Sequence, residues 1–238
     1  MKPDDRLRAS AVTTELVGLG AVVLLALLAR AELPLSELYP FKAAASFVIV
    51  MLLTIGYLRG HHPFARFGPA NQITTARAGL VVLVASLIGE PTLPVVAASA
   101  AAASLVVIVL DGVDGWLARR TRMESTFGAR FDMEIDALLI LALAILVWRH
   151  GKAGPWVLAS GLLRYLFVAA GSVWPWMRRP LTPTLRGKTI CIVQIAALIL
   201  AIVPVITPPA STLAAAVGLL ALCYSFLVDT LWLWRTAG

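Results

Sequence analysis

Charge is scarce in this 238-residue chain: Asp, Glu, Lys and Arg together make up 14% of it, against 60% hydrophobic residues. A soluble domain usually carries about 25% charged residues, so there is no room for a separate water-soluble domain, and the chain belongs in a bilayer. Cysteine is sparse too. Cys191 and Cys223 fall inside apolar segments, where a thiol behaves as a small hydrophobe, and no structural disulfide is expected. The three histidines, His61, His62 and His150, stand in loops without a carboxylate or cysteine at metal-ligand spacing. They read as surface histidines, and a zinc motif is excluded. Internal repeats, low-complexity linkers and sharp composition shifts are also missing.

What fills the chain instead is a series of apolar runs, each close to the twenty or so residues that cross a ~30 Å hydrocarbon core. Eight spans are expected, over roughly 11–29, 41–58, 71–88, 92–110, 127–148, 155–174, 189–206 and 212–234. The runs are continuous Leu, Val, Ala and Ile without period-two alternation, and a bilayer offers the backbone no hydrogen-bond partners, so each should be a helix. The expected fold is all-α, a polytopic helical bundle. The charged stretch from Met1 to Arg8 precedes an apolar run as in a signal peptide, but residues 11–29 are long enough to span and read as a retained helix.

The net charge of +7 comes from basic residues in short loops, a pattern that suits anionic lipid headgroups rather than nucleic acid. With an even number of spans, the side holding both termini receives Lys2, Arg6, Arg8, Arg59, Arg66, Arg119, Arg120, Arg122, Arg130, Arg178, Arg179, Arg186, Lys188 and Arg235. The other side receives only Arg30, Lys42, Arg149 and Lys152. That imbalance puts the termini in the cytoplasm. The opposite loops, such as 89–91 and 207–211, are short and lack Lys and Arg, so they are expected to turn the chain and little else. A soft seam at RGHHPFARFGPA divides two accessory spans and a linker (1–70) from a six-helix core (71–238).

The chemistry concentrates at the cytoplasmic end of the fourth span, in DGVDGWLARRTRMESTFGARFDMEID. Asp111 and Asp114 are three apart on one helix face, Asp132 and Asp136 four apart on a face of the next helix, and the two helices form a hairpin. Four carboxylates so close would repel one another without cations among them. All-oxygen ligands favour Mg²⁺ or Mn²⁺ over zinc. Gly115 and Gly128 leave room for a backbone or phosphate to approach, and Arg119 can pair with a phosphate.

The segment resembles the signature of the CDP-alcohol phosphotransferase (CDP-alcohol phosphatidyltransferase) family, D-x-x-D-G-x-x-A-R, eight residues, then G-x-x-x-D-x-x-x-D. Asp111, Asp114, Gly115, Ala118, Arg119, Gly128, Asp132 and Asp136 match it in type and spacing. The resemblance implies a membrane enzyme of phospholipid synthesis that moves a phosphatidyl or other phosphoalkyl group from a CDP-linked lipid to an acceptor hydroxyl, releasing CMP. It implies two divalent ions on Asp111, Asp114, Asp132 and Asp136, with Asp136 as catalytic base. It also implies that Asp111, Gly115, Ala118, Arg119 and Gly128 hold the cytidine diphosphate group. A homodimer in the bacterial inner (cytoplasmic) membrane, with its site facing the cytoplasm, completes the expectation.

A weaker echo lies in ANQITTAR, where Asn71, Thr74 and Arg77 are three apart, similar to the polar opening of the family's first core helix. Asn71 and Thr74 join the expected CDP site, with helix capping and a snorkelling Arg77 as the competing explanation. Arg164 lies near the middle of the sixth span, where a lone charge faces a pocket or a buried partner such as Asp229. With Arg186 and Lys188 it is a candidate for binding a phosphorylated acceptor, since Lys188 stands where members resembling phosphatidylglycerophosphate synthase carry a lysine. Trp174, Trp176, Trp232 and Trp234 near span ends read as an aromatic belt. The alternative from another class is a cation-binding transporter or scaffold without transferase activity. Against it stand the clustering of the four acids at one membrane face and the lack of a repeat.

Overall fold

The computed structural model describes residues 3–58, 61–178 and 184–237. Lys2, Arg59 and Arg179 of the orientation count lie outside them, as does the side chain of Arg178. Among the described residues the chain forms eight α-helices and no strand: α1 (Pro3–Glu32), α2 (Tyr39–Leu58), α3 (Pro69–Ser86), α4 (Pro94–Thr121), α5 (Thr126–Arg149), α6 (Ala159–Val173), α7 (Leu185–Ile202) and α8 (Ala210–Ala237). Single 3₁₀ turns, Pro155–Leu158 and Pro175–Arg178, flank α6. The all-α expectation holds, and the protein is an integral membrane protein.

Six of these helices are long and apolar enough to cross a membrane: α1, α2, α4, α7, α8 and the segment Pro155–Val173 containing α6. The expected spans at 71–88 and 127–148 are helices α3 and α5, but neither meets that measure of length and composition. The physical reason is in their first turns. Asn71, Thr74, Thr75 and Arg77 open α3, and Arg130, Asp132, Glu134 and Asp136 open α5. Both helices trade apolar length for polar chemistry.

The chain divides into two compact units, one ending at Asp136 and the other beginning at Ala137. In the first, α3 packs against α1, α2 and α4. Small residues let α1 come close: a Cβ on Gly18 would meet Phe47 Cζ at 2.8 Å, and one on Gly79 would meet Val22 Cγ2 at 2.9 Å. Local signals set the helix starts and stops. Gly68, at φ +85°, precedes Pro69, which opens α3 where no N–H is needed. Helix α4 ends at Arg122 in the left-handed region, with the Met123 N–H donating to Ala118 O at 3.2 Å. Its 28 residues are about 42 Å long, more than a ~30 Å hydrocarbon core requires.

The linker entering α3 is packed onto the α4–α5 turn rather than being a loose seam. His62 is buried, with Nε2 2.9 Å from Arg66 O and Nδ1 3.2 Å from Ser125 Oγ. Ser125 Oγ in turn accepts the Gly128 N–H at 3.0 Å, which caps α5. The surface reading of His62 is therefore wrong. It fails because aromatic rings close over it: Phe64, Phe67 and Phe127 have centroids 5.5, 6.5 and 5.7 Å from its ring. His61 is exposed as expected, and His150 is half-buried.

At the opposite end of this unit, the 89–91 loop does more than turn the chain. Glu90 is buried and accepts from the Ser36 N–H at 2.6 Å, from Ser36 Oγ at 2.8 Å and from Lys42 Nζ. The α1–α2 and α3–α4 connections are thus tied to one carboxylate. Burial by itself would raise the Glu90 pKa, but Lys42 and the two Ser36 donors outweigh it and hold the carboxyl below its usual range.

In the second unit, α7 and α8 pack along their length. Lys152 ties one end together, its Nζ donating to Val203 O (3.2 Å), Pro204 O (3.0 Å) and Ile206 O (2.6 Å). Its carbonyl accepts from Ser211 Oγ at 2.7 Å. The ammonium thereby satisfies carbonyls at and just beyond the end of α7, which have no partner within that helix.

A depressed folded-state pKa means that Glu90 contributes stability above its unfolded pKa of about 4.3, and that this stability is lost as pH falls through the lower folded value. Glu90→Gln should therefore melt earlier than the native protein in detergent at neutral pH, by an amount equivalent to roughly 1–3 kcal/mol. The gap should narrow below the unfolded pKa. Equal melting temperatures at neutral pH would count against the tie.

Candidate active site

Helix α3 carries Asn71, Thr74 and Arg77 at i, i+3 and i+6, so the three follow one another along a single face. All three are buried. Against that face lie the end of α4, with Asp111 and Asp114, and the start of α5, with Asp132 and Asp136. Arg77 is fully sealed from solvent and reaches all four acids. Its Nη1 bonds Asp114 Oδ2 at 2.7 Å and Asp132 Oδ1, and its Nη2 bonds Asp111 Oδ1 at 2.8 Å and Asp136 Oδ1 at 2.5 Å.

Thr74 Oγ1 lies 3.1 Å from both Asp114 Oδ2 and Ala70 O, and its one hydrogen can serve either. Asn71 donates from Nδ2 to Phe67 O at 2.5 Å. Its Oδ1 faces Gly128 closely enough that a Cβ there would sit 2.9 Å away, so glycine is what admits the α5 backbone. The snorkelling explanation for Arg77 is overturned. A guanidinium with four carboxylate partners at hand is better paired inside than extended to water.

The acids differ in access. The Asp114 side chain is 7% exposed and that of Asp132 39%, so the acidic rim rather than Arg77 is what a ligand meets. Oxygens of Asp111, Asp114 and Asp132 all lie within 4.8 Å of one another, while Asp136 joins them through Arg77. This donor set suits a hard divalent cation. It is all-oxygen, and four carboxylates against one guanidinium leave an excess of negative charge for bound cations to offset. Gly115, Ala118 and Arg119 lie on the same stretch of α4. The Arg119 guanidinium is exposed and folds back beside Gly115, with Nη1 3.5 Å from where a Cβ would be.

The profile of the CDP-alcohol phosphatidyltransferase family matches residues 67–227, more than half of the chain. The chain belongs to that family. No curated protein and no solved structure matches it. Family membership carries the coarse activity, transfer of a phosphoalkyl group from a CDP-alcohol in a membrane, and the family is in general divalent-metal dependent. The match begins at Phe67, so α1 and α2 lie outside it.

The expected acceptor residues lie in the second unit. Arg186 bonds Asp229, so that acid is engaged by Arg186, where the sequence suggested Arg164 for it. Arg186 and Arg164 are half-buried and Lys188 is exposed. Sequence reasoning undervalued Arg77 and passed over Glu15, a carboxyl buried in the middle of α1's apolar run. The signal for Glu15 was available, since an ionisable residue inside a spanning segment rarely lacks a task.

Arg77→Lys tests the arrangement, because one ammonium cannot fork to four carboxylates on two helices. Transfer should fall by about 10²-fold, read as CMP release at saturating donor and metal. The melting temperature should fall too, as buried acids lose their counter-ion. Native-like turnover in this variant would mean that the four-way contact is dispensable.

Proposed function

We propose that this enzyme transfers a phosphatidyl group from CDP-diacylglycerol to the hydroxyl of a phosphorylated acceptor, with Asp136 as the general base. The observation that carries this reading is the grouping of the four acids: Asp111, Asp114 and Asp132 converge on one another, and Asp136, outside that trio, shares Arg77 Nη2 with Asp111. The acceptor oxygen forms a bond to the phosphorus on the lipid side of the pyrophosphate. The bond to CMP breaks, CMP leaves with the electron pair, and the hydroxyl proton passes to Asp136.

Asp111, Asp114, Asp132 and Asp136 would hold two Mg²⁺ or Mn²⁺ ions, whose charge, when bound, offsets that of the pyrophosphate and the departing CMP. Arg77 keeps the acids at fixed spacing and Thr74 orients Asp114. Arg119, whose guanidinium lies beside Gly115, would pair with a phosphate of the donor, with Ala118 on the same stretch of α4 contributing to that site. Gly128 and Asn71 shape the α3–α5 edge of the CDP site. The diacyl tails stay in the bilayer while the headgroup meets the end of α4.

A phosphate on the acceptor is supported by Arg164, Arg186 and Lys188, three cations on α6 and at the start of α7. Asp229 orients Arg186 without removing its remaining donors. Helices α3 to α8 form the enzyme's core, and α1 and α2 are an addition to it. The protein is read as a homodimer in a bacterial cytoplasmic membrane.

In purified protein with CDP-diacylglycerol and Mg²⁺ or Mn²⁺, CMP should appear only when an acceptor is present, and chelation should stop it. Glycerol 3-phosphate or an inositol phosphate should outperform glycerol, inositol and serine, and Lys188→Ala should raise the apparent KM for the acceptor. Asp136→Asn should lower turnover by about 10²–10⁴-fold with donor binding retained. Preference for an unphosphorylated acceptor removes the phosphate pocket, and a fully active Asp136→Asn removes the base.

With all eight helices taken as spans, the basic-residue imbalance supports a cytoplasmic location for the site and both termini. A cysteine at position 122, in a background lacking Cys191 and Cys223, should react with an impermeant reagent only after the cells are opened. Labelling in intact cells would reverse the orientation.

A further inference from the structure

Helix α1 lies outside the family match, yet it places a carboxyl against the helix that builds the site. Glu15 is 0% exposed, and its Oε1 accepts from Thr75 Oγ1 at 3.2 Å. Thr75 stands between Thr74, which bonds Asp114, and Arg77, which bonds all four acids. Consecutive helical residues are about 100° apart, so Thr75 points away from the carboxylates while belonging to the same two turns of backbone. Glu15 therefore grips α3 from behind, at the height of the site.

The surrounding contacts are close and leave α3 little freedom at that point. A Cβ on Gly18, three residues after Glu15, would lie 3.2 Å from Thr75 Cγ2 as well as against Phe47, and Val22 abuts Gly79 one turn further. Ser10, at the other end of the same contact, accepts the Phe67 N–H at 3.4 Å just before α3 begins. Packing alone would be served by an apolar residue at position 15. A fully buried carboxyl in a spanning segment is costly, and its Oε2 has no hydrogen-bond partner among the described residues. The one specific service it performs is acceptance from Thr75, a polar side chain that would otherwise be buried without a partner or turn back on its own helix.

We propose that Glu15 is a positioning residue for the transfer reaction. Through Thr75 it fixes the rotation and height of α3, and thereby the placement of Thr74 and Arg77 on the carboxylates. The accessory helix α1 is thus a working part of the enzyme. The inference rests on the reading of the four aspartates as the transfer site.

Glu15→Ala should lower kcat by about tenfold, since a small misplacement at the reacting groups is costly. KM for CDP-diacylglycerol should stay within about twofold, because the donor's own contacts remain, and the protein should still purify as folded. Glu15→Gln, whose amide oxygen can accept the same hydrogen bond, should recover most of the loss. Thr75→Val should reproduce it and Thr75→Ser should not. Glu15→Ala combined with Thr75→Val should be no worse than either alone, the signature of one shared interaction.

Full kcat in Glu15→Ala, or additive losses in the double variant, would overturn the proposal. So would failure of Glu15→Gln to recover activity while the Glu15→Ala protein melts like the native one. If Glu15→Ala does not fold, the two Thr75 variants decide: equal kcat in Thr75→Val and Thr75→Ser rejects the role. Asp136→Asn run alongside separates the two ideas, because an active Asp136→Asn discards the assigned chemistry whatever Glu15 does.

Discussion

Four carboxylates and one guanidinium, drawn together where three helices meet, set the terms for the rest of the first unit. Arg77 has no access to water, so its charge must be balanced by the protein, and the acids on α4 and α5 supply that balance. The acids in turn could not share so small a volume without it. Neither side of this arrangement is stable alone. It follows that α3, α4 and α5 must be held in register to within hydrogen-bond tolerance, and the remaining features serve that requirement. Gly128 admits Asn71, the left-handed Arg122 turns the hairpin, and His62 and Ser125 fasten the linker to the start of α5.

An ion pair that is satisfied within the protein would be inert if it were complete. Here it is deliberately lopsided, because one cation faces four acids and the more exposed of them lie toward the ligand side. Arg77 offsets enough charge for the helices to pack, while the excess negative charge leaves a donor set that suits the divalent ions on which the family in general depends. The same residue thus links stability to chemistry, and the fixed spacing it imposes is the preorganisation that a transfer reaction needs.

The membrane explains why so much of this was legible in the sequence. A bilayer forces spans into helices and forbids stray charge, so apolar length gives the helices, and the signature acids stand out against an apolar background. The eight α-helices fell where hydropathy put them, and the spaced aspartates come together, Asp111, Asp114 and Asp132 on one another and Asp136 through Arg77. What hydropathy could not supply is which helix face meets which. Arg77 looked like a residue that could reach the surface, because sequence shows its depth only relative to its own helix and not the four acids that two other helices bring to it. His62 looked exposed because loops usually are, and the Phe cluster that covers it is assembled from residues up to 63 positions apart. Asp229 is bonded to Arg186 at the start of α7, a partner that follows from helix packing and not from position in the sequence.

Glu15 presses the same point further, since its meaning depends on a helix that the family profile does not reach. A lone acid in an apolar run announces cost without naming a partner. Only the fold shows that the partner is Thr75, on the helix that carries Thr74 and Arg77. An added helix pair could have been attached anywhere on the lipid-facing surface by apolar contact, because lipid tails and leucine side chains are nearly equivalent surroundings and offer little preference for one rotation over another. A polar contact changes that. It has a single satisfying geometry, and in hydrocarbon the alternative is an orphaned hydroxyl, so one hydrogen bond between Glu15 and Thr75 can specify the register that dispersion leaves loose. The close approaches at Gly18 and Gly79 then reward that register and no neighbouring one. On the proposed account α1, which lies outside the family match, constrains the site's geometry without contributing to its chemistry.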